Sequence, residues 1–209
     1  MKHSKLAILV SAALFASAGA YASDGNEADV TQNGSNNVVE VTQSVNSNNN
    51  DATVSQDGTS NEAYVTQSDT SNTQAFITQA GELNEGTITQ RNATQTAVAT
   101  IDTDGVDNSA FIDQKFNNGD NAAADINQVG DRNDATILQD NADAANSTIN
   151  QNGSDDIAEI KNVWSDFADA TITQNVGSLN NAYIDQYSSD AASASLTQTG
   201  AGNNGDIIQ

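Results

Sequence analysis

Asp155 and Asp156 are neighbours in the chain, and a pair of carboxylates is the minimal equipment for general acid and base catalysis of the glycosidase kind. That chemistry needs a concave site in which one carboxyl is desolvated and the other is not. Asp102, Asp104 and Asp107 gather around Gly105, a spacing that could wrap oxygen ligands round a calcium ion. Neither the Gly-Gly-x-Gly-x-Asp nonapeptide of calcium-binding β-rolls nor a twelve-residue loop closed by Glu surrounds them. The chain has no cysteine, and its one histidine, His3, stands in a leader expected to be removed. The commonest general base and the easiest nucleophile are therefore both missing from the rest. No catalytic, cofactor-binding or metal-ligating residue is expected, and the chain is read as a non-enzyme whose Asp residues serve turns and solubility.

What positions these residues is a seven-residue phrase, Asn-x-Ala-x-Ile/Val-x-Gln, written sixteen times from Asn26 to Gln209. Val, Ile or Leu stands two residues before the Gln position in every copy, and a small residue stands four before it in all but one, where Val39 intervenes. Strict alternation with a branched apolar residue is the pattern of a strand that buries one face, and no period of 3.6 competes with it. The copies come in pairs. Gly follows the first Gln position by two residues in seven of eight pairs and by three in the other, at Gly177, which predicts a tight turn. The second connection is longer and variable, and the pairs repeat every 23 to 25 residues.

One such pair cannot bury its apolar face alone, but eight stacked pairs can. The expected fold is all-β, a parallel β-solenoid of eight two-strand coils over residues 23–209, each coil running strand, Gly turn, strand, loop. Its thin core of Ala and Ile/Val is flanked by amide ladders, in which each buried side chain bonds the same amide one coil above and below. Tyr64, Phe111 and Tyr183 share an outward slot on the second strands and Phe76 the matching slot on a first strand, where β-propensity explains them. Trp164 and Phe167 lie in a loop of the sixth unit and are expected to cover its edge.

Lys2 and Lys5, an apolar run from Leu6 to Ala18, and Ala20-Tyr21-Ala22 together predict a secretory signal peptide over residues 1–22, cut before Ser23. The run is too short to span a bilayer, so no membrane span is expected after cleavage. Beyond the leader only Arg91, Lys115, Arg132 and Lys161 oppose 28 acidic residues. Such a surface repels nucleic acid. The absence of Pro suits a continuous ladder of hydrogen bonds.

The spacing Gln-x4-Asn-x5-Gln recurs as Gln32, Asn37, Gln43; Gln56, Asn61, Gln67; Gln79, Asn84, Gln90; Gln128, Asn133, Gln139; and Gln198, Asn203, Gln209. It resembles the repeat of curlins, the secreted subunits of bacterial curli fibres, over essentially the whole chain after the leader. The resemblance implies an extracellular, cell-surface, amyloid-like fibre that serves adhesion and biofilm matrix. It implies the chain itself as partner, with a second curlin-type subunit and an outer-membrane export apparatus beside it, and no cofactor. The pattern departs from the family where Asn26, Asn50, Thr73 and five alanines replace the usual Ser, where Thr103 and Asn162 replace Gln, and where Asp156 replaces Asn. Both ends of the stack are expected to be open edges. The alternative is a soluble monomeric solenoid that binds ice or a polysaccharide through one outward face; the outward pairs Thr87-x-Thr89 and Thr171-x-Thr173 suggest it, and Asp29-x-Thr31 and Glu159-x-Lys161 interrupt it.

Overall fold

The computed structural model describes the backbone of residues 6–10 and 15–20, and residues 25–44, 46–93, 96–116 and 121–209 in full. The expected cleavage site after Ala22 lies outside the described residues. Among the described residues every regular element is a strand. β1 (Leu6–Val10) and β2 (Phe15–Ala20) lead into eight coils. These are β3 (Glu27–Ser35) with β4 (Val38–Gln43), β5 (Asp51–Thr59) with β6 (Glu62–Ser68), β7 (Gln74–Glu82) with β8 (Glu85–Arg91), and β9 (Val98–Val106) with β10 (Ser109–Lys115). Above them stand β11 (Ala123–Asp131) with β12 (Asp134–Asp140), β13 (Asn146–Ser154) with β14 (Ile157–Val163), β15 (Asp169–Ser178) with β16 (Asn181–Tyr187), and β17 (Ser193–Thr199) with β18 (Asn204–Ile208). Odd strands form one nine-stranded sheet in chain order and even strands the other, with every pairing parallel. The molecule is a parallel β-solenoid. β1 and β2 lie in register under the first coil, Val10 opposite Gln32 and Ala20 opposite Gln43.

Alternation decides the packing. Burial switches at each residue along β8 and along β5 as far as Asp57, so Ala or Gly, the branched residue and Gln point inward from both sheets. Ile77, Ile101, Ile126, Ile149 and Ile172 stack on one side of the core and Ile88, Ile112, Ile137, Ile160 and Ile184 on the other, each fully buried. Burying one such side chain stabilises by about 1.5–3 kcal/mol.

Gly34, Gly58, Gly81, Gly105 and Gly130 have φ between 106° and 142°, and each remains in the ladder as the strand bends. A Cβ there would lie 1.9–2.0 Å from the carbonyl oxygen of the Gly one coil above, so the close approach of coils demands Gly as firmly as φ does. Gly153 and Gly177 depart from this conformation. Coil 7 carries one extra residue, Val176 at φ 37°, and the register with β13 shifts between Asn152 and Ser154.

Trp164 and Phe167 do not cover an edge. They stand 56% and 68% exposed, both in the left-handed region. Backbone bonds to the coil below hold them there, Trp164 N to Asp140 O at 3.0 Å and Phe167 N to Asp143 O at 2.8 Å. Tyr64, Phe76, Phe111 and Tyr183 are half-buried on the outer faces.

Candidate functional site: the amide ladders and the rod ends

Gln side chains run up both sheets as directed chains of hydrogen bonds. In the first sheet Gln32 Nε2 donates to Gln56 Oε1 at 2.8 Å and Gln56 to Gln79 at 2.7 Å. In the second, Gln43 donates to Gln67, Gln67 to Gln90, Gln90 to Gln114 and Gln114 to Gln139, all at 2.9 Å. Every bond runs from the lower coil to the upper. The second Nε2 hydrogen goes to a backbone carbonyl of the opposite strand, as from Gln56 to Val38 and from Gln139 to Ala123, so the amides also tie the two sheets together.

The Asn column runs on a different rule. Oδ1 of Asn37, Asn61, Asn84 and Asn108 accepts the backbone N–H of the residue one coil up, at 3.0–3.1 Å. Nδ2 donates to the carbonyl of the Gly one coil up, from Asn37 to Gly58, from Asn84 to Gly105 and from Asn133 to Gly153. The column thus fastens the Gly turn. Gln128 restarts the first-sheet chain and passes it through Gln151 and Gln174 to Gln198. Asn203 donates to Asn180 Oδ1, and Gln209 accepts from Gln186.

Interruptions leave a signature. Thr103 has no amide to donate upward, and Gln128 Oε1 above it is buried without a partner. Asn162 is one methylene short, and Gln186 Oε1 above it is likewise buried and unpartnered. Ser147 replaces the usual Ala beside that gap, and its hydroxyl accepts from Gln139 Nε2 and Asn162 Nδ2, both at 2.9 Å. Sequence reading missed this compensation, although Ser147 is the one hydroxyl residue in its column of small residues. The remaining buried glutamine oxygen without a partner is Gln32 Oε1, at the bottom of the first-sheet chain. Val10 is the residue in register beneath it. At the other end no strand pairs with the outer edges of β17 and β18 among the described residues.

The surface is acidic, and the four cations among the described residues are all engaged. Asp113 takes Arg91 at 2.9 Å and Lys115 at 3.3 Å, Arg132 grips Asp155 at 2.7 Å, and Lys161 meets Glu159 at 2.7 Å while standing 5.0 Å above the Tyr183 ring. Hydrogen bonding to Arg132 holds the Asp155 carboxyl below its usual range. Burial pushes Asp134 up, with Glu159 adding to it, and pushes Asp51 up together with the Asp29 charge. The hydrogen bond to Glu62 raises the Tyr64 phenol to about 12. Asp102, Asp104 and Asp107 are exposed. Among the described residues no group of three or more His, Cys, Asp or Glu is placed to hold a metal ion.

No curated protein matches the chain. Residues 47–81, which span the second coil and the first strand of the third, match the family model described as the curlin associated repeat. Over those residues the chain is similar to the curlin associated repeat, and the same unit of strand, Gly bend, Asn column and strand recurs along the rod.

Proposed function

We propose that this chain is a secreted structural subunit that polymerises into amyloid-like curli fibres on the cell surface, for adhesion and biofilm matrix. The observation that carries the reading is the polarity of the amide chains. The bottom of the rod offers a buried acceptor without a donor, Gln32 Oε1, and the top ends in amides that run the same way, Gln198 and Gln209. A second copy set below would bring its Gln198 Nε2 to Gln32 and its Gln209 Nε2 to Gln43, continuing both chains and both sheets. A growing edge of this kind follows the same physics as cross-β stacking. The leader strands occupy that place, so removal of residues 1–22 frees the edge. A second curlin-type subunit and an outer-membrane export apparatus are the further partners of this reading.

Purified residues 23–209 are expected to form fibres with a meridional reflection at about 4.7–4.8 Å. Monomers that persist at high concentration would overturn the proposal and favour a soluble solenoid that uses an outward face. Thr148, Thr171 and Ser195, beside Asn150, Thr173 and Thr197, are the face such a solenoid would offer to ice or polysaccharide.

A further inference from the structure

The two long edges of the rod, one formed by the Gly turns and the other by the longer arcs, share a pattern that the sheet faces lack. Among the described residues the exposed large apolar side chains gather on these edges, with Ile208 at the top of the rod as the exception. On the Gly edge Ile157 opens the second strand of coil 6, Val176 is the extra residue of coil 7, and Leu179 stands in the turn of that coil. On the arc edge Trp164 and Phe167 follow the second strand of coil 6, and Tyr187 closes the second strand of coil 7. Both groups therefore lie at one height on opposite sides of the molecule. Exposed apolar groups of this kind mark contact surfaces.

The charges beneath them match height by height. In coil 3 Glu82 ends the first strand at the Gly edge, and Arg91 ends the second strand at the arc edge. In coil 4 Asp107 occupies the Gly turn and Lys115 ends the second strand. In coil 5 the signs reverse together, with Arg132 in the Gly turn and Asp140 and Asp143 on the arc. Arg132 keeps 54% of its side chain exposed although it grips Asp155. That grip uses Nε and Nη2, which leaves guanidinium donors for a second carboxylate.

We propose that the two edges form one interface, in which the Gly edge of one copy docks on the arc edge of a second copy lying beside it, parallel and at the same height. Side by side, Trp164, Phe167 and Tyr187 of one rod cover Ile157, Val176 and Leu179 of the next, and Arg132 reaches the Asp140 and Asp143 carboxylates. A neighbour shifted by one coil sets Asp107 against Asp140 in one direction and Arg132 against Lys115 in the other. Like charges thus penalise both shifts and fix the height. The contact is heterologous, so each rod takes a neighbour on either edge and the array does not close. It goes beyond end-to-end growth, because it joins rods sideways; along a fibre the same edge recurs with every copy, and weak contacts add.

The test is cysteine cross-linking in a chain that has no Cys of its own. Ser178→Cys on the Gly edge and Ser188→Cys on the arc edge both belong to coil 7 and leave the apolar groups intact. A disulfide needs Cα atoms within about 7 Å, so the mixed dimer reports contact at that height. An equimolar mixture of the two variants of the full chain, whose leader strands still occupy the lower end, is expected to form mixed dimers several-fold faster under mild oxidation than Ser35→Cys mixed with Ser188→Cys. Ser35 ends the first strand of coil 1, far below. Adding Trp164→Asn and Leu179→Asn to both chains, each a residue at ease at the positive φ found there, should bring the rate down to that control while the circular dichroism stays unchanged. Equal rates for the two pairings, or a rate that the Asn substitutions leave unaltered, would overturn the proposal. End-to-end partners hold these positions a whole rod apart and on opposite edges, so failure here and failure of the fibre reading are separable.

Discussion

The rod has two long edges, and they obey different rules. On one, the Gly bend and the Asn column bring successive coils into backbone contact, and each position is held by what stands one coil above. On the other, arcs of variable sequence cross from the second strand of a coil to the first strand of the next. Both edges use left-handed residues at fixed places. Asn36, Ser60, Asp107 and Arg132 are among those on the Gly edge, and Asn92, Phe116, Asn141, Trp164 and Ser188 form a column on the arc edge. The difference lies in side-chain space. A Cβ at Gly81 would lie 2.0 Å from Gly105 O, whereas Trp164 has its ring in solvent. Stacking constrains a residue only where its side chain must enter the space between coils, and the ladder can hold even Trp at positive φ where it need not.

The largest effect expected from breaking this comparison is at Gly81. Gly81→Ala should cost several kcal/mol or prevent folding, because neither the carbonyl it meets nor the φ of 106° can relax without parting two coils. Loss of the β-sheet circular dichroism signal would register it. Gly86→Ala is the control. Its Cβ would meet Ile77 Cγ2 at 3.1 Å, a side chain that can give way, in a column that other coils fill with Ala. A denaturant midpoint as low as that of Gly81→Ala would show that stacking tolerates no added atom anywhere.

Next in size are the ends. Replacing Gln198 and Asn203 together by Ala removes amides from the upper end, and fibre elongation is expected to slow several-fold, while outward Ser195→Ala leaves it unchanged. Equal seeded-growth rates for both variants and the parent would remove the ladders from the growing edge.

Solution conditions should act more gently, through all coils at once. Carboxylates stacked within about 8 Å, one Debye length at physiological salt, repel each other. Lag time should shorten as pH falls from 7 towards 4 and as salt rises. Asp51 and Asp134, whose carboxyls are raised by burial, bind protons more readily folded than unfolded, so stability from them grows as pH falls through their raised range. Asp155 works the other way, because Arg132 lowers it, and its share is lost only at still lower pH. A lag that ignores both pH and salt would confine the acidic surface to solubility.

Thr103→Gln should stabilise by about 1 kcal/mol by giving Gln128 Oε1 a donor, read as a higher denaturant midpoint. The smallest change belongs to the arc edge. Trp164→Asn, which installs a residue at ease at positive φ, should shift the midpoint by less than about 1 kcal/mol, and upward. A fall would mean that the exposed ring packs against something that matters.

The sixteen-fold period, the branched residue two before each Gln and the Gly after every second one determine a parallel solenoid on their own, because inward and outward positions alternate by the geometry of an extended chain. They also place Gln56, Asn61 and Gln67 in columns. What the period does not carry is direction or consequence. That every Gln-to-Gln bond runs upward, that Ser147 answers the shortened Asn162, that Arg132 is taken by Asp155 and that Asp156 Oδ1 accepts from the Asn180 N–H are relations between residues 15 to 24 positions apart. Such relations exist only once coils are stacked in register. The alternation of a strand is local, and it is written in the order of residues; a hydrogen-bond partner is set by the neighbouring coil, and only the tertiary structure decides which atom meets which.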